Sequence, residues 1–262
     1  MPDQQHAETL HFLAFAEQLG DAARPIAMQY FRSALQIETK SDSSPVTIAD
    51  RAIEAEMRRM ISQRFPKHSI YGEEFSQDIG AEYTWVLDPI DGTKSFITGM
   101  PLFGTLIALM RNSKPLLGII DIPAMNERWL ATCNTTTQFN SHAAKTSDCQ
   151  QLSKARLYST SPDNFNLLDA KCFDAISKVV AMRRFGGDCY IYGFLASGHC
   201  DLIIETDLKP FDYLALVPII ENAGGKITDW QGQPLGFHSD GRVIAAASEE
   251  LWQQSIQVLD CT

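Results

Sequence analysis

The sequence of 262 residues contains no apolar run of the ~18 residues that a membrane-spanning helix requires. Its first residues, 1–11, are too polar for a signal peptide, so we expect a cytoplasmic protein that has no membrane partner. Basic residues are also scarce, since 22 Lys and Arg stand against 32 Asp and Glu. Nucleic-acid backbones are bound by clustered Lys and Arg, so the net charge of -10 argues against a nucleic-acid partner and suits the binding of metal cations.

The six cysteines show neither C-x-x-C pairing nor regular spacing, and a chain of this length can bury a core without disulfides. We therefore expect reduced thiols, and we expect Cys189 to be a small core thiol rather than a reactive one. The six histidines show no paired ligand spacing, which disfavours a zinc site. Internal repeats and low-complexity tracts are absent as well.

The first half of the chain begins with helical patterns and continues with strand patterns. Apolar residues recur at helical spacing over 8–35, with a kink or break expected at Pro25, and again over 47–65. The segment 38–46 between them is polar and rich in turn-forming residues. After Pro66 the runs SIYG, YTWVLD, FGTLIALM, PLLGIID, ERWLATC and TTQFN predict the strands of one sheet.

From about residue 155 strands and helices alternate again. We expect strands in ARLYST, VVAMRRF, CDLIIE, KITDW and RVIAAA, and helices over 166–179, 188–197, 211–222 and 249–258. The fold class predicted is α/β (mixed α+β), with layered halves over 1–150 and 151–262 that are joined near residues 147–153.

Two groups of acidic residues follow neighbouring strands of the predicted sheet. Glu73 and Glu74 come after SIYG, and the run DPIDGT (88–93) follows YTWVL, so we expect both groups at one end of the sheet. Carboxylates three positions apart cannot share a face of a regular strand, but a proline that ends the strand would let Asp88 and Asp91 point to one place. A simple Asp-Gly turn explains the second aspartate equally well.

Other single residues also have an ordinary structural explanation. Asp212 and Asp50 stand near predicted helix starts, where an Asp stabilises the helix without any further function, although capping and function can coexist at Asp50. Asp-Gly-Thr also occurs in haloacid-dehalogenase phosphatases as D-x-D-G-T. The D-x-x-D spacing here turns the carboxylate away from that geometry, so an aspartyl-phosphate mechanism is disfavoured.

In combination, GEE, then DPIDGT, then an Asp after LKPF resemble the inositol monophosphatase superfamily, and the resemblance covers nearly the whole chain. Lys40 with SSPVTIAD resembles the upstream signature, GEEF and WVLDPIDGTKSF resemble the two metal motifs, and FDYLALVPIIENAGG resembles the C-terminal motif. The resemblance implies a layered αβαβα sandwich, a phosphoric monoester hydrolase and, commonly, a homodimer. It also implies inhibition by lithium.

The resemblance implies four kinds of role, assigned by position in the motifs. The metal ligands would be Glu73, Asp88, Asp91, Asp212 and the main-chain carbonyl of Ile90. The groups that activate or orient the attacking water would be Glu73, Thr93, Glu74 and Asp50, with Asp50 bonded to Thr93. Phosphate would be held by Gly92, Thr93 and Lys40. The substrate wall would consist of Gly187, Asp188, Glu205 and Asp207.

Oxygen-only ligands suit magnesium, and we expect two or three Mg²⁺ ions. Carboxylates that converge within ~5 Å repel one another by roughly 3 kcal/mol per pair at an effective dielectric of about 20. Such a site is tolerable only if some groups protonate or if cations neutralise it. Metal binding and activity should therefore be coupled.

The expected substrate is a small phosphate monoester, and the wall residues favour histidinol phosphate. An acidic residue at Asp188, together with DGTKSF and ETDLKPFDY, resembles the histidinol-phosphatase branch. Histidinol phosphate carries an ammonium group and an imidazole, which Asp188 and Glu205 could bind through charge-assisted hydrogen bonds. Asp188 could instead cap a helix, Asp207 could be merely exposed, and Arg183 with Arg184 could approach a partner subunit's site.

Three other functions remain open on the same motifs. One is inositol monophosphatase activity or a broad activity toward small sugar phosphates. A nucleotide 3'-phosphatase or a fructose bisphosphatase relative is disfavoured, because no basic patch is present for a second phosphate. The third is a binding protein that keeps the fold but has lost catalysis, which the presence of every expected ligand and of Thr93 argues against.

Overall fold

The computed structural model describes residues 2–33, 37–39 and 45–259, so Lys40 lies outside the described residues. The helices are α1 (Pro2–Tyr30), α2 (Ile48–Arg64), α3 (Thr93–Thr98), α4 (Leu167–Ser177), α5 (Tyr190–Ala196), α6 (Pro210–Tyr213), α7 (Leu216–Asn222) and α8 (Glu249–Leu259). The strands are β1 (Ile37–Thr39), β2 (Pro45–Thr47), β3 (Ser69–Gly72), β4 (Tyr83–Asp91), β5 (Gly104–Arg111), β6 (Lys114–Ile122), β7 (Glu127–Thr132), β8 (Gln138–Phe139), β9 (His142–Ala143), β10 (Arg156–Ser159), β11 (Met182–Phe185), β12 (Leu202–Glu205), β13 (Lys226–Thr228) and β14 (Val243–Ala246).

The strands form two large sheets and one small ribbon. The first sheet has the order β3-β4-β5-β6-β7-β8-β9, in which β3 and β4 are parallel and the later neighbours are antiparallel. The second sheet has the order β11-β10-β12-β14-β13, parallel among its first three strands and antiparallel at β14. The ribbon β1-β2 lies in the segment that the sequence predicts as turns.

Five layers follow from how these elements bury their apolar faces. Alternate residues of a strand point to opposite faces. Trp85 and Leu87 of β4 therefore pack with the helices α1 and α2, whereas Val86 packs with α5 and α7 between the two sheets. The helices α4 and α8 cover the outer face of the second sheet. The expected αβαβα sandwich is confirmed.

The expected division near residue 150 falls between the two sheets, since the first ends with β9 and the second begins with β10. One core nevertheless joins them. Trp129 of the first sheet, Tyr192 of α5 and Ile203 of the second sheet belong to a single buried cluster. The halves share this core, and their description as two domains stays a prediction.

The expected split of the helix at Pro25 is wrong, because α1 runs through it as one helix, and the alternative of a kink stays a prediction. An interior proline removes one hydrogen bond and costs about 3 kcal/mol in a helix. Here Pro25 faces solvent, where water can hydrate the freed carbonyl, while Ala23 and Ala27 on the opposite side are buried against the sheet. Tertiary packing outweighs the local cost. Among the described residues no helix is both long and apolar enough to cross a membrane.

Candidate active site

The two predicted acidic groups lie at one edge of the first sheet. The strands β3 and β4 are parallel, and Gly72 pairs with Leu87. Glu73, which follows the end of β3, and Asp88 of β4 therefore lie side by side, which confirms that both groups open at the same sheet end. A Cβ at Gly72 would clash with the carboxylate of Glu54, so glycine lets the strand end close to this side chain of α2.

A bulge in β4, rather than a strand end, brings Asp88 and Asp91 together. The expectation that Pro89 ends the strand is wrong, since β4 continues to Asp91. Asp88 pairs with Leu106 and Asp91 with Gly104, so three steps on β4 oppose two on β5. One extra residue reverses the alternation of side chains, which turns residues three apart to one face.

The third carboxylate comes from a distant part of the chain. Asp212 lies in the first turn of α6, and its Oδ2 accepts a hydrogen bond from the backbone N–H of Lys209 at 2.6 Å. Its capping role is thus real. The same side chain can place an oxygen within 4.8 Å of oxygens of Asp88 and Asp91, so capping and clustering coexist.

Burial and mutual repulsion raise the pKa values in this cluster. The pKa of Asp88, which is 1% exposed, is raised well above its ordinary value by burial and then by the charge of Glu73. Burial also raises the pKa of Asp91, with Asp188 as the next cause, and raises the pKa of Asp212 to about 7. Asp88 Oδ1 is buried without a hydrogen-bond partner among the described residues. An oxygen-only cluster with such an orphaned acceptor fits a hard divalent cation.

Glu73 and Glu74 have different surroundings. Glu73 lines the cavity above the cluster, but it is not among the three residues whose oxygens lie within 4.8 Å. Glu74 is turned toward α2: its backbone N–H donates to Glu54 Oε2 at 2.7 Å, and its carboxylate lies 3.6 Å from Arg51. Glu74 therefore fixes the loop after β3.

Thr93 begins α3 directly after Gly92, whose φ of 82° is in the left-handed region that favours glycine. The Thr93 hydroxyl donates to the carbonyl oxygen of Ile90 at 3.2 Å, whereas the expected partner was Asp50. Asp50 is buried in the first turn of α2, and its charge contributes to raising the pKa of Asp88. Asp50 therefore lies near the cluster without lining the cavity.

A cavity of about 550 Å³ opens above the cluster. Among its described lining side chains, seven are carboxylates and one, Lys94, is a cation. Three of the seven are Glu73, Asp91 and Asp212. The other four are Asp163, Asp188, Glu205 and Asp207. The wall beyond the cluster is therefore strongly acidic.

The turn over 160–164 forms one side of this cavity, a role that was not predicted from the sequence. Ser161 caps the short 3₁₀ turn Pro162–Asn164 by accepting a hydrogen bond from the N–H of Asp163 at 3.2 Å. The S-P-D-N run is a turn signal, but nothing local shows that the turn faces the acidic cluster.

Asp188 does not cap the helix that follows it. The helix α5 begins at Tyr190, and its cap residue Cys189 makes no side-chain cap bond. Gly187 and Asp188 have φ values of 118° and 47°, so the turn is left-handed. The Asp188 carboxylate accepts a hydrogen bond from the Ser95 hydroxyl at 2.6 Å. The alternative of a capping role is thus wrong.

The two other predicted wall residues differ in burial. Glu205 is buried and accepts hydrogen bonds from the Thr160 N–H and the Tyr192 hydroxyl, both at 2.8 Å. Burial raises its pKa. Asp207 is exposed at the rim, 2.8 Å from Lys209, so its predicted exposure coexists with a place on the cavity wall.

Two further expectations concern residues next to this wall. Arg183 and Arg184 lie on β11, an edge strand whose residues are all exposed, and neither lines the cavity. Cys189 is buried, and burial raises the pKa of its thiol well above the ordinary value, so it is a core thiol as expected. Its backbone N–H donates to Asp91 Oδ2 at 2.5 Å.

Comparison with known proteins places the chain in a family. The model of the inositol monophosphatase family matches residues 8–261. This chain belongs to the inositol monophosphatase family, whose members are metal-dependent phosphatases. The expected class of enzyme, a phosphoric monoester hydrolase, is confirmed.

Individual relatives agree with this placement. The chain is 45% identical over 259 residues to the chloroplastic bifunctional phosphatase IMPL2 of Arabidopsis thaliana, covering 95% of this chain and 75% of that protein. It is 34% identical to a histidinol-phosphatase of Chlorobaculum parvum, covering 89% and 91%. A solved inositol monophosphatase from Zymomonas mobilis is 43% identical, covers 95% and 98%, and superposes with a TM-score of 0.89.

Proposed function

We propose that this phosphatase hydrolyses histidinol phosphate in a magnesium-dependent reaction. One observation carries the substrate choice: beyond the acidic cluster, the cavity wall presents Asp163, Asp188, Glu205 and Asp207. Histidinol is cationic, whereas inositol is neutral. An acidic wall binds an ammonium or imidazolium group through charge-assisted hydrogen bonds, which inositol cannot offer.

The proposed metal ligands are Glu73, Asp88, Asp91, Asp212 and the carbonyl of Ile90. Two or three Mg²⁺ ions fit this set, because magnesium prefers oxygen ligands and keeps several waters. Bound magnesium would supply positive charge to the phosphoryl group and lower the pKa of the attacking water. The raised pKa values of the cluster support the need for such a cation.

The protein groups around this centre have positioning roles in the proposal. The Cys189 N–H holds one oxygen of Asp91, which leaves the other for the metal side. Glu73 and the Thr93 hydroxyl border the cavity and would orient the attacking water, while Glu74 fixes the loop that carries Glu73 and Asp50 lies nearby. The backbone of Gly92 and Thr93, together with Lys40, would hold phosphate.

The names of two relatives support phosphatase activity, and one of these names also supports the substrate. The Chlorobaculum relative is a histidinol-phosphatase, and the Arabidopsis relative is a bifunctional phosphatase. The solved Zymomonas relative is an inositol monophosphatase, so hydrolysis of inositol phosphates is the second candidate. A homodimer, a cytoplasmic location and lithium inhibition stay predictions, as does a role of Arg183 and Arg184 at a partner subunit's site.

The test is phosphate release from histidinol phosphate and inositol 1-phosphate, each with magnesium and with chelator. We expect magnesium-dependent phosphate release from both esters, because the same chemistry acts on each. The kcat/KM should be higher for histidinol phosphate. The variant Asp188→Ala should raise the KM for histidinol phosphate by about 30-fold, the worth of one hydrogen bond to a charged group. Asp148→Asn, an exposed acid that does not line the cavity, is the matched control.

Three results would decide against the proposal. A higher kcat/KM for inositol 1-phosphate would favour the second candidate. No release from either ester would favour a binding protein that has lost catalysis. An unchanged KM in Asp188→Ala would remove the acidic wall as the reason for the substrate choice.

A further inference from the structure

The carboxylate of Asp188 is held by the loop that carries the acidic cluster, not by its own helix. Ser95, in the first turn of α3, donates from Oγ to Asp188 Oδ2 at 2.6 Å. No described residue is hydrogen-bonded to the other oxygen, Oδ1. One oxygen of Asp188 is thus fixed by a neutral hydroxyl, and the other is available to a ligand in the cavity.

Close packing reinforces this arrangement. A Cβ built on Gly92 would lie 2.7 Å from Asp188 Oδ2, so the carboxylate rests directly on the main chain of the loop. The next residue, Cys189, donates its N–H to Asp91. Asp188 and the adjacent Cys189 therefore contact the segment over 88–95, one through its side chain and the other through its backbone.

We propose that Ser95 is a positioning residue that sets substrate specificity by aiming Asp188 at the cationic leaving group; this rests on the proposed function. An Asp side chain has two rotatable bonds, and exposed Lys94 lies close enough for its charge to act on Asp188. Without the Ser95 hydroxyl the carboxylate can rotate away from the cavity. The negative charge would remain, but the carboxylate would no longer be oriented toward the substrate.

The experiment compares Ser95→Ala, Ser95→Thr and Asp188→Ala in the holoenzyme, with kcat and KM measured for histidinol phosphate and inositol 1-phosphate. Ser95→Ala should raise the KM for histidinol phosphate about tenfold, which is part of the loss expected for Asp188→Ala, because the carboxylate remains but is no longer held toward the substrate. The KM for inositol 1-phosphate should change much less, because its leaving group has no cation. Ser95→Thr keeps the hydroxyl and should restore most of the loss.

A double variant separates positioning from a general structural effect. If Ser95 acts through Asp188, adding Ser95→Ala to Asp188→Ala should change the KM by less than about twofold, since the two effects are not additive. Exposed Ser153, which does not line the cavity, supplies the matched control Ser153→Ala. Thermal unfolding of each variant shows whether the fold is retained.

The outcomes are distinguishable. If Asp188→Ala raises the KM for histidinol phosphate but Ser95→Ala does not, the inference fails and the proposed function stands. Equal losses for both substrates, or an additive double variant, would make Ser95 a merely structural residue. If the wild-type enzyme does not hydrolyse histidinol phosphate, the proposed function fails and the inference fails with it.

Discussion

Two buried carboxylates in this molecule, Asp121 and Asp88, have neighbours of opposite charge. Asp121 of β6 is fully buried and is held by Arg24 at 2.7 Å and by Arg128 at 2.6 Å. Asp88 of β4 is equally inaccessible, but its neighbours in the cluster are Asp91 and Asp212. Among the described residues, no Lys or Arg forms an ion pair with these three carboxylates.

This difference in neighbouring charge indicates a structural role for Asp121 and a binding role for the acidic cluster. A buried carboxylate without a counter-charge is costly, and the chain supplies two arginines where Asp121 joins α1 to the first sheet. At the sheet edge it supplies further acids instead. The cluster is tolerable only if some of its carboxylates protonate or if a cation from outside the protein neutralises them, and this dependence distinguishes it from a structural joint.

The largest effect should come from removing one charge of the cluster. Asp91→Asn should lower kcat/KM for phosphate release by roughly 1,000-fold or more, because the metal would lose a ligand and the phosphoryl group its charge stabilisation. The measurement is phosphate release at saturating magnesium, with exposed Asp148→Asn as the control. Turnover within tenfold of wild type would contradict the metal assignment.

A substitution at Asp121, whose charge is neutralised by two arginines, should change the stability of the protein rather than its activity. Asp121→Asn leaves Arg24 and Arg128 without their shared partner and should lower the free energy of unfolding by about 3 kcal/mol. Urea denaturation of the metal-free protein measures this loss. At urea concentrations below the unfolding transition, the kcat of this variant should stay near the wild-type value. A large fall in kcat with unchanged stability would reverse the roles given to the two groups.

Magnesium should stabilise the protein through the cluster alone. At about 100 times the dissociation constant, a ligand that binds only the folded state adds about 2.7 kcal/mol. The Tm of wild type should therefore rise with magnesium, and the Tm of Asp121→Asn should rise by as much. The rise should be largely lost in Asp88→Asn. An equal rise in Asp88→Asn would place the stabilising ion elsewhere.

The smallest effect is also the most direct test of the contrast. Without metal, Asp88→Asn should leave stability unchanged or raise it by about 1 kcal/mol, because it removes one of several repelling buried charges. The same chemical change at Asp121 is expected to destabilise the protein. The measurement is urea denaturation of both variants in the presence of chelator. A similar loss of unfolding free energy in both would contradict the distinction between the two carboxylates.

Much of the site could be predicted from the sequence because its motifs are local. The run DPIDGT carries Asp88, Asp91, Gly92 and Thr93 together, and β3 and β4 lie next to each other as their patterns suggest. The way in which the two aspartates meet was not predictable. A bulge depends on pairing with β5, and neither Pro89 nor any neighbour in sequence reveals that register.

Contacts between distant segments could not be predicted from the sequence either, because no local pattern reveals which segments pair. Ser95 and Asp188 are 93 positions apart, and no local pattern links them. The turn over 160–164 reaches the cavity only because the second sheet packs on the first through a shared layer of helices. A split at Pro25 was wrongly expected because the cost of the proline is local, whereas the burial that outweighs it is tertiary.

By itself, then, the sequence indicated most of the helices and strands and the acidic character of the site, because periodicity and side-chain chemistry are properties of short segments. Only the tertiary structure decided which carboxylates face one another, which are neutralised by arginine and which oxygen of Asp188 remains available. Distances between charges set their energies, and those distances exist only once the two sheets have packed.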